Sequence, residues 1–186
     1  MTKNLKLGIM MFLQYAVWGA WMPVTSRFLT ASVIDGGLGF TDSEMAIILG
    51  FAASVGALSA PFIAGQVADR YLSTEKILAF LVISGGLVKW YTALQTDFNA
   101  WLYLSILYSI LYMPTLALSN SIAFAHLEDS ENNFPKIRAW GTIGWIVATW
   151  TFPMIWLQTD LGFSFMPPFL IGSEVEGVVN RLGDSF

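Results

Sequence analysis

The chain has 186 residues, of which 55% are hydrophobic and 15% aromatic, while only 12% are charged. Soluble domains carry roughly 25% charge, so this composition, with a mean hydropathy of +0.61, excludes an ordinary soluble domain and points to a chain that lies mostly in lipid. A net charge of −4 excludes a basic nucleic-acid footprint, and the lack of cysteine excludes disulfides and thiolate metal sites.

A hydrocarbon core roughly 30 Å thick needs about 20 apolar residues at 1.5 Å rise per residue. Five runs approach or exceed that length: Leu7 to Phe28, Met45 to Val67, Ile77 to Leu94, Trp101 to Ala125 and Ala139 to Leu157. Unpaired backbone groups in lipid cost several kcal/mol, and the alternation of barrel strands is absent, so each run is expected to be a helix. Lys3 and Lys6 precede the first run like a signal peptide, but the run is too long and lacks a cleavage pattern, so it reads as a retained helix. The second run is rich in small residues, among them Gly50, Ala53, Gly56, Ala60, Ala64 and Gly65. Such spacing lets helix backbones approach, and this span is expected to be buried among its neighbours. Pro23, Pro61 and Pro114 fall inside spans and predict local kinks.

The fold class expected is therefore an all-α membrane bundle of about five helices over residues 1–157. Residues 158–186 form an atypical tail whose one apolar run, Phe163 to Gly172, is interrupted by Pro167 and Pro168 and is too short to span. The tail reads as a loop, an interfacial stretch or a sequence foreign to the rest.

Orientation follows from the basic residues. Lys3, Lys6, Arg70, Lys76, Lys136 and Arg138 fall on one side if the spans alternate, against Arg27 and Lys89 on the other. The N terminus is thus expected in the cytoplasm. Trp21, Trp90, Tyr91, Trp101, Tyr103, Trp150 and Trp156 then fall together near the outer interface, where an aromatic belt belongs. Lys89 lies near the outer end of the third span and is expected to snorkel to the headgroups.

The polar residues within this frame are few. Arg138, Thr142, Trp145 and Thr149 follow helical spacing and line one face of the fifth span. An Arg at the mouth, a hydroxyl one turn in and an indole beyond it suit a flat, uncharged, hydrogen-bonding solute; equally, the Arg can snorkel and the Thr can bond its own helix. Gln14, Trp18 and Trp21 make a similar stripe on the first span, and Gln14 must find either another helix or a solute. Thr115, Ser119 and Asn120 on the fourth span read first as inter-helix ties. His126, the sole histidine, sits beside Glu128, Asp129 and Glu131 and reads as a solvated interfacial group. No Asp or Glu lies in the interior of any span, so the usual intramembrane proton carrier is not provided there. Hydrolase, zinc-protease and P-loop motifs are missing, and "DGGLG" (Asp35 to Gly39) reads as a flexible outer loop rather than a nucleotide fingerprint. An enzyme is not expected.

Between the second and third spans, "GQVADRYLSTEK" places Gly65 four residues before Asp69 and Arg70. That spacing resembles the signature loop of the major facilitator superfamily, although the Gly and first basic residue that follow in the superfamily pattern are replaced and only Lys76 remains. "FLQYAVWGAW" (Phe12 to Trp21), "YMPTLALSNSIAF" (Tyr112 to Phe124) and "FPKIRAWGTIGW" (Phe134 to Trp145) resemble the first, fourth and fifth helices of the nucleoside/proton symporters within it. The resemblance covers about residues 5–150 and is lost near Trp156. It implies a partial N-terminal major-facilitator bundle, alternating access, nucleoside cargo and a proton as coupling ion, with no other cofactor and no metal. It further implies that Arg138, Thr142 and Trp145 contact cargo and that Gly65, Asp69 and Arg70 form a conformational latch; Gln14, from its stripe on the first span, is a further cargo candidate. The implied location is the bacterial inner membrane. The partners implied are the lipid bilayer and a second, C-terminal half of the transporter. The competing expectation is a truncated, transport-inactive fragment or a membrane-embedded partner protein.

Overall fold

The computed structural model describes residues 2–67, 73–152, 162–163 and 170–171. Helices occupy all five expected positions. The first, α1, is Lys3–Thr30. The second span joins α2 (Asp42–Ala46), a π turn (Ile47–Phe51), α3 (Ala52–Phe62) and a second π turn (Ile63–Val67). Then follow α4 (Thr74–Ala93), α5 (Phe98–His126) and α6 (Ser130–Phe152). In the tail, β1 (Gly162–Phe163) pairs antiparallel with β2 (Leu170–Ile171), Gly162 opposite Ile171.

Each helix begins before its apolar run, and polar caps account for several of these starts. Thr41 and Glu44 form a capping box: the Thr41 N–H donates to Glu44 Oε2 at 2.8 Å and the Glu44 N–H to Thr41 Oγ1 at 3.3 Å. Asp97 Oδ2 accepts from the Ala100 N–H at 3.0 Å and starts α5. Asp129 Oδ1 accepts from the Asn132 N–H at 3.3 Å, so α6 starts at Ser130 rather than Ala139. Its first turns therefore carry Glu131, Lys136 and Arg138. That polar entry dilutes its hydropathy, and four helices among the described residues, α1, Asp42–Gly65, α4 and α5, are long and apolar enough to cross a membrane. Pro23, Pro61 and Pro114 all stay within helices, and α3 gives way to a π turn directly after Pro61.

Packing is governed by close approach, because lipid tails offer helices no hydrophobic driving force toward each other. The tightest seam joins α1 and α6, which run parallel. Gly144 lies against the Phe12 backbone, a Cβ at Gly19 would stand 2.8 Å from the Trp145 carbonyl oxygen, and one at Gly141 would stand 2.7 Å from the Tyr15 ring. Thr149 Oγ1 donates to the Gly19 carbonyl at 3.4 Å, which places a hydroxyl across the same seam. On α3, Gly56 meets Ser109 of α5, where an added Cβ would stand 2.6 Å from the serine Cβ. Antiparallel to α5, α4 packs Ile77 and Leu81 around the fully buried Leu118.

The second span departs from expectation. Only one face of it packs, through Ile48, Ala52 and Gly56. A Cβ at Gly50 or Gly65 would meet nothing within 4 Å, and Phe51, Leu58 and Phe62 are exposed. Small residues permit close approach but do not supply the partner. The loop before it also differs from a flexible connector, because the backbone of Leu38, Gly39 and Phe40 donates back to Phe28, Ala31 and Leu29 at 2.8–3.1 Å. Gly36 and Gly39 take positive φ values of 90° and 68°, which only glycine adopts without strain.

Candidate functional site

Along α6, Arg138, Trp145 and Thr149 are half-buried while Thr142 is exposed, so the helical stripe exists but its members do not share one environment. The Arg138 guanidinium lies over the Tyr15 ring, 4.3 Å from its centroid. Since Gly141 closes against both Tyr15 and Arg138 Nη1, the missing Cβ is what lets ring and guanidinium meet. One turn further along, Trp145 meets Trp18 edge to face, with centroids 5.0 Å apart at 72°.

Gln14 immediately precedes Tyr15 in the chain and is largely buried. Its Nε2 donates to Thr115 Oγ1 at 2.6 Å, and the Tyr112 hydroxyl donates to its backbone carbonyl at 2.7 Å. The Thr115 hydroxyl donates in turn to the Tyr112 carbonyl at 2.5 Å. Gln14 thus ties α1 to α5 at the edge of the stripe. Ser119 donates to its own helix at Leu116. Asn120 Oδ1 is enclosed with no hydrogen-bond partner among the described residues. His126 is no lone surface group: its Nδ1 lies 2.9 Å from the Ile122 carbonyl and its Nε2 lies 3.9 Å from Glu75 Oε1, which links the end of α5 to the start of α4. Of the latch residues, Asp69 and Arg70 lie outside the described residues, and Gly65 sits in the open π turn.

Two expectations about the end of the bundle opposite the N terminus are overturned. Trp90, Tyr91, Tyr103 and Trp150 are exposed as a belt requires, but Trp101 has no exposed surface and its indole donates to the Gln95 carbonyl at 2.7 Å. Trp21 also turns inward. Trp156 lies outside the described residues. Nor does Lys89 snorkel: it is only 6% exposed, and its ammonium stands 3.5 Å from the centroid of Trp21, 5.1 Å from Tyr108 and 5.8 Å from Trp101. The aromatic rings meet the cation with their negative faces, a favourable substitute for water.

These residues wall a cavity of about 100 Å³. Trp18, Trp21 and Thr25 come from α1; Ile48 and Ala52 from the second span; Lys89 from α4; and Trp101, Ser105, Tyr108, Ser109 and Tyr112 from α5. An apolar cavity of roughly 150 Å³ takes up benzene, so the scale is that of a single planar ring. Ring contacts run without a break from the cavity to α6: Trp21 on Tyr108 at 5.5 Å, Tyr108 stacked on Tyr112 at 5.3 Å, Tyr112 on Trp18 at 6.2 Å, then Trp18 on Trp145. Aromatic and hydrogen-bonding spacing in the sequence exposed the α6 stripe, but the Lys89 cavity was missed, since a cation near a helix end carries the same signal whether it points out or in. No cluster of His, Asp and Glu among the described residues could hold a metal ion.

Comparison with known proteins places this architecture. The family model described as "Nucleoside H+ symporter" matches residues 1–181, so the match continues beyond Trp156 into the tail. YegT of Escherichia coli strain K12, a protein named as a candidate nucleoside transporter, is 40% identical over 148 residues, which cover 80% of this chain and 33% of YegT. The xanthosine permease of the same organism is 32% identical, with 85% of this chain and 37% of the permease covered. The crystal structure of the nucleoside transporter NupG superposes with a TM-score of 0.74 at 30% identity, over 81% of this chain and 37% of that one. The chain therefore spans about a third of the length of the relatives it matches. Several apolar helices and this kinship make it a multi-pass integral membrane protein, and it belongs to the nucleoside H+ symporter family.

Proposed function

We propose that this chain is the N-terminal part of a transporter that carries nucleosides into the cell, coupled to protons by alternating access of two helical halves about a midplane site. The reading rests on one observation: in a chain of this family, α1 and α6 hold a polar and aromatic wall in which Arg138 lies on Tyr15 and Trp145 on Trp18. Arg138, Thr142 and Trp145 are the cargo contacts. The guanidinium and hydroxyl are suited to the ribose and base oxygens, and the indole edge to a flat ring. Gln14 is the remaining contact, held in place by Thr115 so that its amide keeps one orientation. The N terminus lies in the cytoplasm and the membrane is the bacterial inner membrane. Gly65, Asp69 and Arg70 act as the latch between the second and third spans.

The spans carry no interior carboxylate, so the proton-carrying acid of such a symporter lies in the remaining length of the transporter. The test is uptake. Proteoliposomes holding the complete polypeptide that carries this chain should accumulate labelled uridine when an inward proton gradient is imposed and stop when a protonophore collapses it. Uptake no greater than that of empty vesicles overturns the reading.

A further inference from the structure

Tyr15, Trp18 and Met22 stand at i, i+3 and i+7 and so share one face of α1. Arg138 lies on the first of them, while the other two belong to the wall of the cavity, where Met22 is still 44% exposed and marks the mouth. From Tyr15 to Met22 the helix rises about 10 Å, a length that a ribose and its base cover together. At about 100 Å³ the cavity has room for one six-membered ring and falls short of a fused pair. Its walls do not yield cheaply, because packed interiors resist added atoms. Part of its polar lining is committed elsewhere: the Thr25 hydroxyl donates to the Trp21 carbonyl at 2.8 Å and the Tyr112 hydroxyl to the Gln14 carbonyl at 2.7 Å. Ser105 and Ser109 add hydroxyls, which donate and accept alike and so suit a carbonyl or an amine equally.

We propose that this cavity is the base subsite of the cargo site and that its size selects pyrimidine over purine nucleosides: the ribose lies at Arg138, and the base passes Trp18 into the ring-lined space. The proposal rests on the nucleoside reading above and names the cargo class within it. Stacking on Trp18 and the tyrosines favours any flat base. The serine hydroxyls accept either pattern of groups on the base edge. Ring count is what remains to separate one base from another. Ile48, Leu49 and Ala52 of the second span wall the same space, so a second fused ring has no room beside the first. A purine is then held back from the cavity, and its ribose is displaced from Arg138.

Uridine and adenosine carry the same ribose on one ring or two, so they test this directly. Equilibrium binding of each, labelled, to the complete polypeptide in lipid nanodiscs gives the ratio. The wild-type protein should bind uridine at least about tenfold more tightly than adenosine. Leu49→Ala widens the cavity and should bring the ratio toward one through gained adenosine affinity. Ala53, a half-buried wall residue, points to the opposite change: Ala53→Phe fills the space and should cost uridine at least about tenfold in affinity, with the melting temperature held or raised. A wild-type ratio near one overturns the proposal without any variant, which covers the case of a variant that fails to fold. So does undiminished uridine binding by a folded Ala53→Phe protein, the result expected if the cavity is only a gap in packing. A Leu49→Ala protein that weakens both ligands equally overturns it as well. If neither nucleoside binds the wild-type protein, the nucleoside reading itself falls; if both bind without discrimination, only the base subsite does.

Discussion

Gln14 Nε2 donates to Thr115 Oγ1 at 2.6 Å, across the contact of two helices whose residues lie far apart in the chain. Inter-helix hydrogen bonds within membranes contribute about 0.6 kcal/mol on average, with an upper range near 1.7. Thr115→Val keeps the shape and removes the hydroxyl, so its thermal stability should fall by about that amount. Gln14→Leu with Thr115→Val should cost less than the sum of the single changes, and the double-mutant cycle in detergent measures the coupling. Strict additivity would show that the bond contributes nothing.

Gly144 against Phe12 predicts a sharp positional contrast. Gly144→Leu forces α6 away from α1, and overpacking of this kind costs about 1–3 kcal/mol. Gly86→Leu, on α4 where nothing lies within 4 Å, should leave the melting temperature unchanged or slightly raised. Equal losses at both positions would mean that the glycine seam does not set the helix spacing.

Arg138 over Tyr15 makes charge alone insufficient. Arg138→Ala should weaken nucleoside binding by about tenfold or more while membrane insertion and helix content persist. Arg138→Lys should recover little of it, because an ammonium lacks the planar guanidinium that stacks on the ring and presents a fork of donors. Equilibrium binding with labelled uridine checks both, and unimpaired binding in the alanine variant would return Arg138 to a headgroup anchor.

Asp129 supplies a prediction in pH. Hydrogen bonds from the Asn132 side chain and backbone, with a smaller attraction from Lys136, hold its carboxyl below the usual carboxylate range. A folded-state pKa lowered in this way stabilises the start of α6 fully above the ordinary carboxylate value, and that contribution fades as pH falls through the lowered one. The group is exposed and the effect is confined to the first turn of α6. A carbon-13 NMR titration of the Asp129 carboxyl should give a midpoint below that of a model peptide, and Asn132→Ala should move it upward. An unmoved midpoint would remove the Asn132 side chain as a cause.

The start of each helix shows how far sequence reasoning reaches. Thr41 with Glu44 three residues on, and Asp97 before Ala100, are local capping patterns that need no tertiary contact. The α6 stripe was legible for the same reason, since Arg138, Thr142 and Trp145 sit on one helix at fixed spacing. What joins that stripe to Tyr15 and Trp18 was not, because those partners come from a helix more than a hundred residues earlier. Small residues along the second span suggested burial, yet Gly50 and Gly65 face open space: residue size says how near a neighbour can come and not where one is.

Trp21, Trp90, Trp101 and Lys89 mark the boundary most clearly. Sequence by itself determined their place along the helices, because a helix rises a fixed 1.5 Å per residue and the apolar runs are read directly from the chain. It did not determine rotation about the helix axis. Trp90 turns out to face outward, with 61% of its surface exposed, whereas Trp101 has none exposed and Lys89 beside Trp90 in the chain is buried against Trp21. The same sequence signal, an indole or a lysine near a span's end, fits an interfacial position and an aromatic cage alike. Only the packing of α4 against α1 and α5, fixed by residues on all three helices, decides which of the two it meets.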